Sequence, residues 1–209
     1  MSQYETDDEK VEAIKKWWKE NGASVAIGIV IGLALVFGWR GWVAYRDSVA
    51  SQASAVFDRL LVSANAGQAD AVTKQAEQLR ADFSSTPYAA LGSLVAAKVL
   101  YEKGDTPAAT AALERAMAAA PDPALARLAA LRLARIQVSD GQLDAAAATL
   151  AAHDNGIDFA GDFAAVRGDI AAARGDTKTA RAEYEKAIAA GTSLPQAIRL
   201  KLDNLPAAG

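Results

Sequence analysis

Residues 167–187, RGDIAAARGDTKTARAEYEKA, decide how this chain folds. The pair Gly175-Asp176 divides the stretch into two runs whose small and apolar residues recur at helical spacing. Glycine ends a helix readily because, without a Cβ, it adopts the left-handed backbone that the helix C-terminus needs. Gly168 in the first run stands where two antiparallel helices would cross. Ala180 and Ala187 take the small positions of the second run, with Tyr184 as the large residue between them. Small residues at a crossing let two helix axes approach closely, and a large apolar neighbour fills the space that remains.

The same punctuation recurs outward from this stretch at Gly67-Gln68, Gly104-Asp105 and Gly141-Gln142, so that the turn glycines are spaced by 37, 37 and 34 residues. Helix–turn–helix units with a period near 34 are the tetratricopeptide signature. Ala109, Leu113 and Ala116 fill the packing positions of the unit around Gly104, with Pro121 closing it. The unit around Gly141 has Ala146 and Leu150, then His153 where alanine belongs, and the unit around Gly67 is degenerate, with Val72, Ala76 and Leu79. All six prolines follow residue 86, at unit ends or helix starts, and Thr106-Pro107 reads as an N-cap followed by proline at the first helical position. Alternating β-branched runs are missing outside the apolar segment described next. The fold class is therefore all-α: a tetratricopeptide-like, right-handed helical solenoid of about four helix pairs between residues 47 and 191. A closing helix from Pro195 to Asn204 covers the last unit's apolar face.

All four tryptophans bracket one apolar segment, Trp17 and Trp18 before it and Trp39 and Trp42 after it, with no charge between Asn21 and Trp39. The 20 residues between Trp18 and Trp39 span about 30 Å as a helix, the thickness of a bilayer's hydrocarbon core. Tryptophan favours the membrane–water boundary, so the four rings read as interface anchors. The acidic end with Glu5, Asp7, Asp8 and Glu9 and the length of the apolar run are unlike a cleaved signal peptide, so the segment reads as a retained anchor. Lys10, Lys15, Lys16 and Lys19 precede it, whereas only Arg40 and Arg46 closely follow, which places the N-terminus in the cytoplasm and the large domain outside. The expected organisation is a cytoplasmic N-terminus with a short amphipathic segment over residues 1–20, a transmembrane helix over 21–42 and an extracytoplasmic repeat domain over 43–209. Residues 1–10 read as a mobile acidic end. Gly28 and Gly32 form a G-x-x-x-G face suited to close contact with another membrane helix, although glycine is common in such helices anyway.

Beyond residue 42 the chain carries 17 basic and 19 acidic residues with the signs interspersed, and no basic stripe alternates with aromatics, so nucleic acid is excluded as an expected partner. The chain has no cysteine, which excludes disulfides, thiolate metal sites and a cysteine nucleophile. The one histidine, His153, stands at a helix-packing position, and the carboxylates are scattered singly, with Asp105, Asp122 and Asp176 at turns and caps. No catalytic, cofactor-binding or metal-binding constellation emerges, so an enzyme is not expected. Binding remains. The concave face of such a stack is lined by the first helix of each pair. By position it includes Leu91, Leu94, Lys98 and Tyr101, then Leu128, Leu131 and Arg135, then Asp162, Ala165 and Asp169. Each leucine has an alternative role in packing between helices. Direct binding of unfolded chains would need Leu91, Leu94 and Tyr101 to form an open apolar groove.

Several motifs, in order, give the chain a family resemblance. They are Val11-Glu12-Ala13-Ile14-Lys15 with Trp17-Trp18 and Asn21-Gly22, then Gly38-Trp39-Arg40 with Trp42. In the domain they are Leu131-Arg132-Leu133-Ala134-Arg135, Arg167-Gly168-Asp169 with Gly175-Asp176 and Ala180-Arg181, and Lys201-Leu202-Asp203-Asn204-Leu205. Together these residues resemble the YfgM-like ancillary subunits of the bacterial SecYEG translocon. The resemblance implies a single-pass inner-membrane protein of Gram-negative bacteria with a periplasmic tetratricopeptide-like domain. It implies association with SecYEG and with PpiD, a membrane-anchored periplasmic chaperone, and a part in handing newly translocated polypeptides to folding factors. Regulated stability through the cytoplasmic N-terminus is a further implication drawn from some members. The rival reading is a membrane-anchored scaffold for another cell-envelope assembly or secretion machine.

Overall fold

A computed structural model describes residues 3–206, with side chains from residue 9 onward. The acidic side chains of Glu5, Asp7 and Asp8 lie outside the described residues, although the backbone is already helical from Gln3. Nine helices follow one another among the described residues. They are α1 (Gln3–Asn65), α2 (Ala69–Asp82), α3 (Tyr88–Glu102), α4 (Thr106–Ala119), α5 (Pro123–Ser139), α6 (Leu143–His153), α7 (Ala160–Ala173), α8 (Thr177–Ala189) and α9 (Pro195–Asp203). The chain divides into two compact units, one up to Val49 and one beginning at Ala50.

The first unit is helix α1 up to Val49. It is the one described helix long and apolar enough to cross a membrane. Its large apolar side chains from Ile27 to Phe37 are exposed, as are all four tryptophans. A contiguous apolar surface of this size suits contact with lipid rather than water. Within it the Trp17 and Trp18 rings lie 6.5 Å apart and the Trp39 and Trp42 rings 5.4 Å apart. The Arg46 guanidinium sits 5.0 Å from the Trp42 ring centre, a cation–π arrangement.

The second unit is a row of helix pairs: residues 50–65 of α1 with α2, then α3 with α4, α5 with α6 and α7 with α8, closed by α9. Its core runs as four consecutive clusters. Val56 and Leu60 meet Val72, Ala76 and Leu79 of α2 and Val99 of α3. Leu94 of α3 meets Leu113 and Ala116 of α4 and Leu133 of α5. Leu131 of α5 meets Leu150 of α6 and Phe163 of α7. Ala171 of α7 meets Ala180, Tyr184 and Ala187 of α8 and Ile198 of α9. Each cluster thus ties neighbouring units together and no more, the nearest-neighbour energetics of a solenoid. Helix α9 lays Ile198 and Leu202 over the last cluster, with Leu205 just beyond its end, and so covers the surface that a further repeat would have buried.

The turns follow from glycine and aspartate. Gly175 has φ 78°, and the Asp176 N–H bonds the Ala171 carbonyl at 2.9 Å, closing α7 in a left-handed cap. The same closure recurs at Gly67, Gly104 and Gly141, and again at Gly191, where the Thr192 N–H bonds the Ala187 carbonyl. Aspartate then opens the next helix: the Asp176 carboxylate accepts from the Thr179 N–H at 3.0 Å, and these bonds from Thr179 hold its carboxyl below the usual range. In α4 the cap is Asp105, accepting from the Ala108 N–H at 3.1 Å, not Thr106. That corrects the sequence reading by one residue. A carboxylate at the positive end of the helix dipole makes the stronger cap, and proline still fits within the first turn.

One approach is closer than any other to backbone. A Cβ added to Gly161, in the first turn of α7, would lie 2.5 Å from the Thr192 nitrogen and 2.8 Å from the Ala187 oxygen. Backbone at that distance cannot step aside as a side chain can. Gly161→Ala should therefore destabilise the domain by roughly 1–3 kcal/mol, the usual range for overpacking, and lower its thermal midpoint by several degrees. Gly28→Ala, where an added Cβ meets nothing within 4 Å, should leave that midpoint unchanged. Circular-dichroism melts of the two variants test the pair, and equal midpoints would contradict the packing described.

Candidate protein-binding face

Two clefts open among the first helices of successive pairs. One, of about 220 Å³, lies between α3 and α5 and is lined by Leu94, Ala97, Lys98 and Tyr101 of α3, Leu113 of α4 and Arg132, Arg135 and Ile136 of α5. The i, i+3 and i, i+4 spacings on α3 and α5 bring these side chains to one face of each helix. Lys98 and Tyr101 are exposed, and the Tyr101 hydroxyl reaches 3.3 Å from Ser139 Oγ on α5, marking one end of the cleft. Lys98 Nζ lies 3.7 Å from Glu102 on its own helix, a solvent-exposed pair of little energetic weight.

The second cleft, of about 540 Å³, is lined by Arg135, Val138, Asp169, Tyr184, Leu200, Lys201 and their neighbours from α5, α7, α8 and α9. Asp169 binds this wall together. Its Oδ1 accepts from the Tyr184 hydroxyl at 2.7 Å and from Lys201 Nζ at 2.6 Å. Burial, reinforced by the Asp169 carboxylate, pushes the ionisation of the Tyr184 phenol well above its ordinary range, so it stays a donor.

Arg135, which lines both clefts, also joins a polar knot centred on the buried Asp162. Asp162 accepts from Arg135 Nη2 at 3.1 Å, Thr192 Oγ1 at 3.2 Å, the Ser193 N–H at 3.2 Å and Ser193 Oγ at 2.6 Å. This carboxylate joins α5 and α7 to the loop after α8, and its burial is matched by four donors rather than by an open surface.

The residues expected on the face thus separate. Leu94, Lys98, Tyr101 and Arg135 share the first cleft, and Arg135 and Asp169 share the second. Leu91 and Leu128 are half-buried and pack in the α3–α4–α5 core, Leu131 and Ala165 are buried outright, and Asp162 is committed to its knot. Leu94 is itself 3% exposed, so Leu91 and Leu94 supply no open groove for unfolded chains. Arg132, Ile136, Leu200 and Lys201 line the clefts without having been singled out as site residues. The signal was available in the α5 register, because Arg132 and Ile136 lie four residues apart and each is within four of Arg135 or Leu128. His153 is half-buried, its Nδ1 3.1 Å from the Thr149 carbonyl one turn back. In the first unit, Gly28 and Gly32 present bare helix surface.

The tetratricopeptide repeat-like domain family matches residues 15–207, which takes in both the apolar helix and the repeats. An ancillary SecYEG translocon subunit of Haemophilus influenzae is 37% identical over 202 residues, 95% of this chain and 97% of the relative. The ancillary SecYEG translocon subunit of Escherichia coli strain K12 is 35% identical over 150 residues, 72% of each chain. A third, from Aggregatibacter actinomycetemcomitans, is 35% identical over 144 residues, 69% of this chain and 70% of the relative. No solved structure matches the chain significantly.

The polar knot makes a stability prediction. Asp162→Ala leaves the Ser193 N–H, two hydroxyls and the Arg135 guanidinium without their acceptor, and should cost about 2–3 kcal/mol. Arg135→Ala should cost less, because the carboxylate keeps three other donors and the lost side chain is 38% exposed. Urea denaturation of the two variants gives the order directly. A larger loss from Arg135→Ala would contradict the assignment of Asp162 as the centre of the knot.

Proposed function

The chain belongs to the family of ancillary SecYEG translocon subunits, and from that premise we propose that it is a membrane-anchored, non-enzymatic accessory subunit of the Sec translocon. The apolar part of α1 crosses the inner membrane, with the N-terminus in the cytoplasm and the repeat domain in the periplasm. The domain scaffolds a periplasmic chaperone of the PpiD kind and helps hand newly translocated polypeptides to it. One observation carries this reading: the 37% identity to a protein named as such a subunit extends over 95% of the chain, so it includes anchor and domain together. Four lysines before the anchor against two arginines soon after it support the orientation.

The two units suit different parts of the task. In lipid, a helix gains little from hydrophobicity alone and associates where small residues let another backbone come close. The Gly28–Gly32 surface has room for that approach. The repeat domain contributes clefts in which charged and aromatic side chains ring an apolar floor. Several of its carboxylates cap helices or join ion pairs: Asp105, Asp122 and Asp176 are caps, and Asp154 and Glu183 pair with Arg167.

Copurification from detergent-solubilised membranes tests the reading. The native chain should bring down SecYEG, and the double substitution Gly28→Leu, Gly32→Leu should reduce that recovery several-fold without moving the thermal midpoint of the domain. Undiminished recovery would remove the contact role of the glycine face. Failure of the native chain to recover SecYEG would contradict the accessory-subunit reading itself.

A further inference from the structure

The loop between α6 and α7 reads Asp154-Asn155-Gly156-Ile157-Asp158, with Asn155, Gly156 and Ile157 exposed to solvent. Its hydrogen bonds converge on one pair of groups. The Gly156 N–H donates to Asp154 Oδ1 at 2.9 Å, while the other oxygen of that carboxylate is held by Arg167 of α7. The Asn155 side-chain oxygen accepts from the Ile157 N–H at 3.1 Å and from the Asp158 N–H at 3.3 Å. Asp158 is in turn gripped by Arg127 of α5, so arginines from two other helices fix both ends of the loop. A carboxylate thus faces the Gly156 nitrogen, where it can take up the proton, and two N–H groups face the Asn155 carbonyl oxygen, where they stabilise negative charge. Glycine after the asparagine brings no side chain to hinder an approach between these two groups.

We infer that Asn155 is a site of self-modification, at which the folded loop promotes conversion of the asparagine to aspartate and isoaspartate. The Gly156 nitrogen attacks the Asn155 side-chain carbonyl carbon. Its proton passes to Asp154 Oδ1 and on to the departing nitrogen, which leaves as ammonia. The cyclic imide that remains takes up water at one of its two carbonyl carbons, which opens it to aspartate or isoaspartate. No oxidant or reductant is needed, and water is the one co-reactant. The product places a further negative charge beside Asp154 and Asp158, and its iso form lengthens the main chain by one carbon. The change therefore marks ageing chains at the point where ion pairs from α5 and α7 converge. This inference is independent of the accessory-subunit reading.

The chain carries its own comparison. It has four asparagines, and two of them, Asn21 and Asn155, are followed by glycine. Asn21 lies within α1, where the Gly22 N–H is committed to the helix ladder. Its side-chain nitrogen donates to the Trp17 carbonyl at 3.1 Å. No carboxylate is bonded to the Gly22 nitrogen, so the same dipeptide stands in one reactive and one unreactive setting.

Peptide mapping by mass spectrometry tests the proposal on the full chain in nanodiscs, held in warm neutral buffer made with heavy-oxygen water. The heavy oxygen enters only where an imide has opened during the incubation, so conversion during handling is not counted. The reference without the fold is the free peptide of residues 151–160, which has the same neighbours but no Arg167 or Arg127 to fix them. Asn155 should convert about tenfold faster in the folded chain than in the peptide, a modest share of what an aligned base and oxyanion donors supply. Asn21 should stay unconverted over the same period. Asp154→Ala should slow Asn155 in the full chain about tenfold, and a circular-dichroism spectrum confirms that the variant is folded. Conversion no faster in the folded chain than in the peptide would overturn the proposal, and so would labelling of Asn21 at the rate of Asn155. An undiminished rate in folded Asp154→Ala would remove the carboxylate from its assigned role and overturn it equally.

Discussion

Everything in the repeat domain depends on how closely its helices cross. Gly161 admits the backbone of the α8–α9 loop, and Gly168 admits the face of Tyr184, whose ring would stand 2.5 Å from an added Cβ. Gly92 does the same for Leu79, at 2.7 Å. Alanines take the remaining crossing points: Ala109, Ala116, Ala146, Ala180 and Ala187 are all fully or almost fully buried. With so many small residues inside, little apolar area is buried per residue. Stability must then come from short interaxial distance and from the large residues wedged between crossings, such as Leu60, Leu113, Phe163 and Tyr184. Such a core is sensitive to added volume at a few points and tolerant elsewhere.

The same alanine- and valine-rich composition serves two solvents. From Ile27 to Phe37 the apolar side chains of α1 face outward, whereas the apolar side chains of residues 53–60 in the same helix are packed against α2 and α3. What separates the two stretches in sequence is charge. Asn21 to Trp39 has none, while beyond Arg40 the helix carries Arg46, Asp47, Asp58 and Arg59 on its outer faces. Uninterrupted hydrophobicity belongs with lipid, and a stripe of it belongs with a protein core. The polar chemistry of the domain follows a similar economy of placement, with Asp162 and Asp169 joining helices from the inside and Lys98 and Arg132 left at a cleft.

The repeat phase was legible because glycine and proline punctuate it. Four turn glycines, the packing alanines beside them and the closing helix could all be placed, since each answers to one local rule about left-handed caps or helix crossings. The exact cap of α4 was not, because Asp105 and Thr106 are both good N-caps and only the backbone decides between them. Nor was the loop before α7, where Phe159 takes φ 59°, a conformation no local preference assigns to phenylalanine. Its neighbours Asp154 and Asp158 are tied to Arg167 and Arg127 from other helices, so tertiary contacts set that turn. The face was legible only in part. Lys98, Tyr101 and Arg135 line one cleft, but helical position cannot tell a first-helix residue that lines a cleft from one that faces the next unit, which is why Leu131 and Asp162 are inside.

Site-specific photo-crosslinking in native membranes, with probes at Ile29 and Val36 in the anchor and at Tyr101 in the domain, tests the central claim most directly. The account predicts adducts to SecY or SecG from the anchor positions and to a periplasmic chaperone from Tyr101. Adducts confined to other cell-envelope machinery, with none to the translocon, would contradict it.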